Sequence, residues 1–436
     1  GTAALFGAAS GSFYNVTATG AVGSAVVSGL TNARWQHVNI ATSGGSFLMA
    51  VNGADKLRGW DGSAWWTDGD AAHDITGVDT ANCINISIFK RRVFLVEKNS
   101  TSAWYLPVDS IAGAASELDF GSIFSRGGYL MATANWSLDA GIGIDDYAAF
   151  ISSEGQVAIY KGSDPSSATT WALVGVFLVG APIGRRCVAP LAGDVMLMCK
   201  DGLIPLSKAL MSSRVDTTVA LSDNIQNTIG ASAVNYGSTF GWQPVLFPEE
   251  NMVLLNVPVS IGGQQQYAMN TITGAWARFK GWAMNCFTVF GNELYGGGNG
   301  TVYKMWTGEN DDGANVDAEV LQAFSYFRDR SSMKEWTMAR PLVATTNNAG
   351  FLFGLNTDFD TTAPTGVPTE TASTAAQWGT GKWGTGKWGG QPRIQKNWQS
   401  VNGIGYCAGI HFKAATNTGR IEWSATDFAY KKGGII

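Results

Sequence analysis

The residues that could carry out chemistry are few in this sequence and lie far apart. The histidines are three in number: His37, His73 and His411. None has a second histidine or a cysteine at ligand spacing, so the sequence does not predict a zinc-type site. Adjacent acids occur at Asp145-Asp146, Glu249-Glu250 and Asp311-Asp312. Neighbours in a strand point to opposite faces, which makes such pairs poor acid/base partners, and Asp is common in turns.

These observations predict that the protein is not an enzyme and has no catalytic residues, metal ligands or cofactor. No G-x-S-x-G nucleophile motif is present. The cysteines are odd in number, widely spaced and without a CxxC pair: Cys83, Cys187, Cys199, Cys286 and Cys407. This spacing favours buried, reduced thiols over disulfides or a zinc site.

Tryptophans form the pattern that is most typical of binding. Trp378, Trp383 and Trp388 are evenly spaced in a Gly-Thr-Gly-Lys repeat. Each copy matches G-x-G-x-x-G, but the repeat itself creates the match and no strand–helix unit surrounds it. Tryptophan is enriched in protein interfaces. We therefore predict that these three residues contact another subunit or protein; the alternative is that they pack on their own domain.

The elements that must position these residues are predominantly strands. Apolar residues alternate with period two in short runs bounded by Gly, Asn, Asp and Ser. One unit recurs: an apolar strand, a turn, and a second strand rich in Tyr or Trp. Its seven copies begin near residues 5, 45, 91, 146, 193, 251 and 292. Three of the turns have sequences that are strong hairpin signals: Asn52-Gly53, Asp201-Gly202 and Asn299-Gly300. Asn-Gly and Asp-Gly favour hairpins because these residues accept the positive φ angles of a tight turn.

The spacing of the copies, about 40 to 60 residues, suits one four-stranded propeller blade. The hairpin would then be the middle pair of each blade. We predict an all-β fold with a β-propeller of about 6–8 blades over residues 1–312. A string of β-sandwich domains is the structural alternative.

The pattern changes after Asp312, and residues 313–436 are predicted to form a small C-terminal β-sandwich-like domain. Strands are expected at residues 340–346, 350–355, 405–414 and 420–425. An inserted arm, residues 361–391, holds a Thr/Pro/Ala-rich loop followed by the three tryptophans of the repeat.

The composition indicates a subunit of an assembly. Only 14% of residues are charged, against roughly 25% in ordinary soluble proteins, so partners are expected to cover part of the surface. The net charge of −5 and the lack of a basic run argue against tight, nonspecific phosphate-backbone binding.

The longest apolar stretch, residues 171–184, is too short and too rich in Gly for a membrane span and is predicted to be a buried strand pair. Because the chain starts inside strand-like sequence at Gly1, we expect an N-terminal segment to precede it.

The hairpin pattern and the segment from Gln266 onward resemble the tail-nozzle or tail-hub proteins of short-tailed bacteriophages. The residues that carry the resemblance begin with Leu30-Thr31-Asn32-Ala33-Arg34-Trp35 and Trp60-Asp61-Gly62, and continue with Tyr267-Ala268-Met269-Asn270-Thr271-Ile272-Thr273-Gly274-Ala275-Trp276, Gly281-Trp282, Glu293-Leu294-Tyr295-Gly296 and Gly300-Thr301-Val302-Tyr303. The resemblance spans most of the chain, and its motifs are structural.

The resemblance implies a virion protein made in the host cytoplasm and located in the phage tail. It implies a homo-oligomer, a hexameric ring closed by heterologous interfaces, that lies below the portal and adaptor proteins. Genomic DNA would pass through the lumen without sequence-specific binding, and tail fibres or spikes would attach outside. No catalytic residue transfers from the family.

Two alternatives of other classes remain open at this point. One is a glycan-cleaving propeller, in which acids from separate blades would meet at a central pocket; the Ser-x-Asp-x-Gly-x-x-Trp box of sialidase-type propellers is absent from the sequence. The other is a lectin-like propeller whose candidate sugar contacts are Trp60, Trp65, Trp66 and Trp104.

Overall fold

The protein is described by a computed structural model, covering residues 3–139, 144–191, 193–210, 220–346, 349–368 and 393–433. The chain forms two compact units, Gly1–Met305 (unit 1) and Trp306–Ile436 (unit 2); the sequence placed the division at residues 312–313. Strands make up 52% of the chain and helices 6%, which confirms the predicted all-β class.

Unit 1 is a ring of antiparallel sheets, the predicted β-propeller. Its first half contains β1 (Phe6–Ala9), β2 (Ser12–Asn15), β3 (Gln36–Thr42), β4 (Gly45–Val51), β5 (Arg58–Trp60), β6 (Trp65–Thr67), β7 (Ile75–Thr76), β8 (Cys83–Phe89), β9 (Arg92–Glu97), β10 (Ser102–Tyr105), β11 (Gly113–Ala114), β12 (Ser116–Asp119), β13 (Leu130–Asp139), β14 (Ile144–Ser152), β15 (Gln156–Gly162) and β16 (Trp171–Leu178). The sheets are the hairpin β1-β2 and three four-stranded sheets, β3-β4-β5-β6, β8-β9-β10-β12 and β13-β14-β15-β16; β7 and β11 form a short parallel pair.

The second half of unit 1 continues the series with three more sheets. Its elements are β17 (Val188–Leu191), β18 (Asp194–Cys199), β19 (Gly202–Pro205), α1 (Leu206–Leu210), α2 (Gln226–Tyr236), β20 (Gln243–Phe247), β21 (Met252–Ser260), β22 (Gly263–Asn270), β23 (Trp276–Phe279), β24 (Cys286–Phe290), β25 (Glu293–Gly298) and β26 (Thr301–Lys304). The sheets are β17-β18-β19, β20-β21-β22-β23 and β24-β25-β26. Including the first hairpin, the series falls within the predicted range of blades.

All seven hairpins predicted from the sequence are antiparallel pairs: β1-β2, β4-β5, β9-β10, β14-β15, β18-β19, β21-β22 and β25-β26. In the four-stranded sheets they are the middle pair. The turn at Asn299-Gly300 has both residues at positive φ, as expected. At Asn52-Gly53 only the glycine does, because the Asn52 side chain accepts hydrogen bonds from the Ala54 and Asp55 amides and forms a longer Asx-type turn.

The first strands of successive sheets lie side by side around the ring, in the order β3, β8, β13, β17, β20 and β24. The hairpin β1-β2 joins the two ends of this series. Phe6 packs edge-on against Trp60 and Trp65 of the first four-stranded sheet. On its other side a Cβ at Gly7 would lie 3.5 Å from Val302 Cγ2 of the last sheet. The ring therefore closes through contacts between residues far apart in the sequence, and buried apolar clusters fill the spaces between neighbouring sheets.

The apolar run at residues 171–184 is not a buried strand pair, as the sequence suggested. It forms the single strand β16, which is the outer strand of its sheet. Leu173, Val174 and Val176 are exposed there, because an outer strand has no neighbour to cover one of its faces. Within the described part of the chain, no helix is long and apolar enough to span a membrane.

Unit 2 contains two sheets packed on a shared core. Its strands are β27 (Val316–Leu321), β28 (Lys334–Thr345), β29 (Gly350–Thr357), β30 (Arg393–Gln395), β31 (Gln399–Gly405), β32 (Ala408–Thr416) and β33 (Ile421–Lys432). One sheet has the order β27-β32-β29, and in the other β28 pairs with β30, β31 and β33. Phe412 of the first sheet stacks on Trp423 of the second, with ring centroids 5.2 Å apart. This arrangement is the predicted β-sandwich-like domain.

Gly59 and Trp66 are in close contact within the first four-stranded sheet. It lies opposite Trp66 on the neighbouring strand, and a Cβ at Gly59 would lie 2.0 Å from Trp66 Cζ2. Trp66 is buried and stacked on His73. We expect Gly59→Ala to displace the indole and to lower the free energy of unfolding by about 1–3 kcal/mol, as measured by denaturant unfolding with tryptophan fluorescence.

The matched control is Gly230→Ala in α2, where an added methyl meets no atom within 4 Å. Alanine has the higher helix propensity, so this change should stabilise the protein by about 0.5–1 kcal/mol. Equal effects of the two substitutions would show that the Gly59–Trp66 contact is loose.

Candidate functional site

Segments from three sheets meet where the ring converges. The guanidinium carbons of Arg34, before β3, and Arg186, before β17, lie 5.3 and 4.5 Å from the ring centroid of Phe240, before β20. The sheets of β3 and β17 are separated by two other sheets in one direction around the ring, and by two sheets and the hairpin β1-β2 in the other. A contact between them is therefore made across the centre, and we call Arg34, His37, Arg185, Arg186 and Phe240 the central cluster.

The arginines of the central cluster are held by neutral groups. Arg186 donates from Nη1 to Gln243 Oε1 at 3.0 Å and from Nη2 to the Asn285 carbonyl oxygen at 2.9 Å. Arg185 donates from Nη1 to the Asn52 carbonyl oxygen at 3.2 Å. No carboxylate forms an ion pair with these arginines in the described part of the chain. The centre of the ring therefore keeps their positive charge.

Lys98 adds a fourth cation beside the cluster. It follows β9, and its Nζ donates to the Gly53 carbonyl oxygen at 3.1 Å, next to the Asn52 carbonyl that binds Arg185. Backbone carbonyl oxygens of the turn after β4 thus bind two cations, Arg185 and Lys98.

An amide network in the β20–β23 sheet positions the segments that carry Phe240 and Asn285. Buried Asn256 donates to the carbonyl oxygens of Gly241 at 2.7 Å and Met284 at 3.0 Å. Gln266, also buried, donates to Asn256 Oδ1 at 2.8 Å. Buried amides are costly unless they are hydrogen-bonded, so these residues fix the loops before β20 and β24.

The electrostatics of the site follow mainly from burial, and like charges add to its effect at Arg185 and His37. Desolvation lowers the pKa of Arg186 and of Arg185, and Arg34 lowers that of Arg185 further. Desolvation also lowers the pKa of His37 below its usual value, with the positive charge of Arg186 adding to the effect. The His37 side chain is nevertheless accessible to solvent. The neutral form of His37 is therefore favoured beside Arg186.

The lowered pKa of His37 predicts a pH dependence of stability. As the pH falls below about 6.5, the unfolded chain binds a proton at this position while the folded chain does not, so the folded state loses stability until the pH has passed the folded pKa. We expect His37→Gln to reduce the drop in melting temperature between about pH 7.5 and pH 5, measured by differential scanning fluorimetry. The same drop in variant and wild type would contradict this assignment.

The other singled-out residues have contacts of their own, and among them Cys286 lies beside Arg186 of the central cluster. His73 stacks on Trp66. In unit 2, Nε2 of the buried His411 lies 2.8 Å from Oε1 of Glu319. Asp146 forms an ion pair with Lys90. The five cysteines are unpaired, and all but the half-buried Cys286 are buried; burial raises the pKa of Cys187 to about 12. Trp378, Trp383 and Trp388 lie outside the described residues, so their partner contacts stay a prediction.

The tryptophans considered as sugar contacts have protein neighbours. Trp60 and Trp65 pack with Phe6, Trp66 is buried under His73, and Trp104 donates from Nε1 to Glu97 Oε2 at 3.1 Å. These rings stabilise the first two four-stranded sheets.

Sequence reasoning missed the central cluster because its members come from distant sheets. The sequence signal that was available is Asn256, Gln264 and Gln266, which interrupt otherwise apolar strands. Buried polar residues of this kind often serve a specific site.

No protein-family model and no curated protein matches the sequence. Solved structures that are similar to the chain are β-propeller proteins. The Aleuria aurantia lectin in complex with alpha-methyl-L-fucoside is 12% identical, with 61% of this chain and 88% of the lectin covered and a TM-score of 0.32. Trypanosoma rangeli sialidase is 8% identical, with 88% and 91% covered and a TM-score of 0.31. YCF48 bound to D1 peptide is 12% identical, with 61% and 80% covered and a TM-score of 0.32. Similarity at this level concerns the fold alone.

Proposed function

We propose that this protein is a structural subunit of a short-tailed bacteriophage tail, a nozzle or hub that forms a ring below the portal and adaptor proteins. The proposal rests on one observation: the residues that carry the resemblance have structural roles. Those from Gln266 onward form turns and packing contacts of the last two sheets of unit 1. Asn270 Oδ1 accepts hydrogen bonds from the Ile272 and Thr273 amides, and Trp276 Nε1 donates to the Leu221 carbonyl oxygen at 2.9 Å.

The chemistry at the centre of the ring also supports a non-catalytic function. A glycan-cleaving propeller needs two carboxyl groups on either side of the scissile bond. The groups that converge here are instead arginines, held by amides and carbonyls. The low charge of the chain and the exposed aliphatic strand β16 are properties of a subunit with extensive partner contacts.

The test is assembly with the phage's own portal–adaptor complex. Mass photometry and negative-stain electron microscopy should show six copies of the full chain added as a ring to that complex. Mass spectrometry of purified virions should detect the chain. A chain that stays monomeric beside the adaptor and is absent from virions would contradict the proposal.

The arm offers a sharper version of the same experiment. We expect Trp383→Ala combined with Trp388→Ala to weaken ring assembly and to leave the melting temperature of the isolated chain almost unchanged, because anchor tryptophans contribute about 1–3 kcal/mol each to interfaces. If the double variant melted at a lower temperature but assembled normally, the arm would be an internal packing element.

Glycan binding is the second candidate function. The observation that favours it is the partial exposure of two indoles in unit 2, Trp306 and Trp398, at 46% and 42%, since flat aromatic faces suit sugar rings. Arg340 lies over the Trp398 ring, with its guanidinium carbon 5.0 Å from the ring centroid, and could contact a bound sugar as well. The lectin and the sialidase named above share only the fold with this chain. A glycan array with binding at micromolar affinity that is lost in Trp398→Ala would support this function, and an array without such binding would exclude it.

A further inference from the structure

The central cluster concentrates positive charge in a chain whose net charge is −5. Three arginines contribute to it, and the charged group that most affects Arg185 is Arg34, of the same sign. Arg186 is the half-buried member, and a charge removed from water is costly unless it is paired or hydrogen-bonded. Within the described residues the cluster has amide, carbonyl and aromatic neighbours.

Several donors of the cluster remain available to a ligand. A guanidinium carries five N–H donors. Arg34 contacts the Phe240 ring, and none of its guanidinium N–H groups donates a hydrogen bond within the described residues. Arg185 uses one nitrogen, for the Asn52 carbonyl. Both side chains are exposed to solvent, so an ion can reach them.

The remaining contacts fix the geometry of the cluster before any ligand binds. Arg186 is stacked on Phe240 and tied to Gln243 and Asn285. Gln243 also donates to the Phe287 carbonyl oxygen at 2.9 Å and accepts from the Phe287 amide at 3.0 Å. Arg186 and Phe240 are thus fixed in position, and this limits the conformational entropy that the part of the site built on them would lose when an anion binds.

We propose that the central cluster binds a compact, doubly charged oxyanion, phosphate or sulfate, at the centre of the propeller ring. The guanidinium fork matches the geometry of such oxyanions and forms charge-assisted hydrogen bonds with them. His37, Arg34 and Arg185 are exposed to solvent, so a small ion can reach the cluster. The bound ion would bridge segments from non-adjacent sheets and stabilise the closed ring.

Isothermal titration calorimetry of the full chain tests the proposal, with sodium phosphate and sodium sulfate titrated against sodium chloride at equal ionic strength. We expect one site per chain for phosphate and for sulfate, and a higher melting temperature in either ion than in chloride. Equal melting temperatures in all three salts, with no heat of binding, would overturn the proposal.

Variants locate the site. Arg34→Gln loses no hydrogen bond of the fold and should weaken phosphate binding about tenfold or more; Arg185→Gln should act in the same direction. The control is Arg91→Gln. Arg91 is an exposed arginine in the turn between β8 and β9, and it pairs with Asp109. Its replacement should leave phosphate binding unchanged. An equal loss in Arg34→Gln and Arg91→Gln would mean a general salt effect and would overturn the assignment.

The source of the phosphate group is distinguished by a second ligand. If inorganic phosphate binds and competes with a short single-stranded oligonucleotide, the site takes the phosphate group itself. If the oligonucleotide binds while inorganic phosphate does not, the proposed small-ion site is wrong. Unchanged melting of Arg34→Gln in chloride verifies that the variant is folded.

Discussion

Replacing Lys334 by methionine is expected to destabilise unit 2 by about 3–5 kcal/mol. Lys334 begins β28 and is 1% exposed. Its Nζ donates to three carbonyl oxygens, of Asp329 at 2.5 Å, Ser332 at 2.9 Å and Tyr406 at 3.0 Å. Methionine fills a similar volume but has no donor, so these carbonyls would lose their charged partner, and hydrogen bonds to charged groups contribute about 1.5–3 kcal/mol each.

The experiment combines denaturant unfolding with limited proteolysis, in which new cleavage sites should fall within residues 306–436. Lys431→Met is the matched control, because Lys431 is an exposed lysine of the same unit and should tolerate the change within about 0.5 kcal/mol. If both variants unfolded at the same denaturant concentration, the ammonium group of Lys334 would have no special structural role.

Trp242→Ala is expected to destabilise unit 1 by about 3–5 kcal/mol. Trp242 is 2% exposed and lies in the largest apolar cluster, next to β20. Its Nε1 donates to the Tyr236 carbonyl oxygen at 2.8 Å, which connects the end of α2 to the ring. Alanine would leave a cavity and remove this hydrogen bond.

Trp242→Phe separates the two contributions. It keeps most of the aromatic packing and loses the donor, so the expected cost is smaller, about 1–2 kcal/mol. Thermal and denaturant unfolding followed by far-UV circular dichroism measure both variants. A phenylalanine variant as unstable as the alanine variant would show that the hydrogen bond, and not the packing, dominates at this position.

The repeated hairpins were predictable because each is a local feature, with alternating apolar residues on either side of a turn. Unit 2 was predictable for the same reason, since its long strands alternate clearly. The solvent exposure of the outer strand β16 was not predictable, because an apolar run in a sequence does not reveal whether neighbouring elements cover it. The burial of Lys334 was not predictable either, because lysines usually lie on the surface. It depends on the carbonyl oxygens of Asp329 and Tyr406, which lie outside β28.

The central cluster was beyond sequence reasoning for a geometric reason. Arg34 and Arg186 are separated by about a third of the chain, and only closure of the ring brings both to Phe240. Arginines without a nearby acid in the sequence look like ordinary solvated residues. Their shared aromatic neighbour becomes visible once the order of the sheets around the ring is established.

Closure of the ring has a consequence for synthesis of the protein. The hairpin β1-β2 is synthesised before the other sheets of unit 1, yet the neighbour that Gly7 faces, Val302, is made almost 300 residues later. At typical translation rates roughly 15 to 60 seconds pass between the two. During that time the earliest blade has one uncovered face, so the nascent chain depends on slow, long-range pairing and is open to wrong partners.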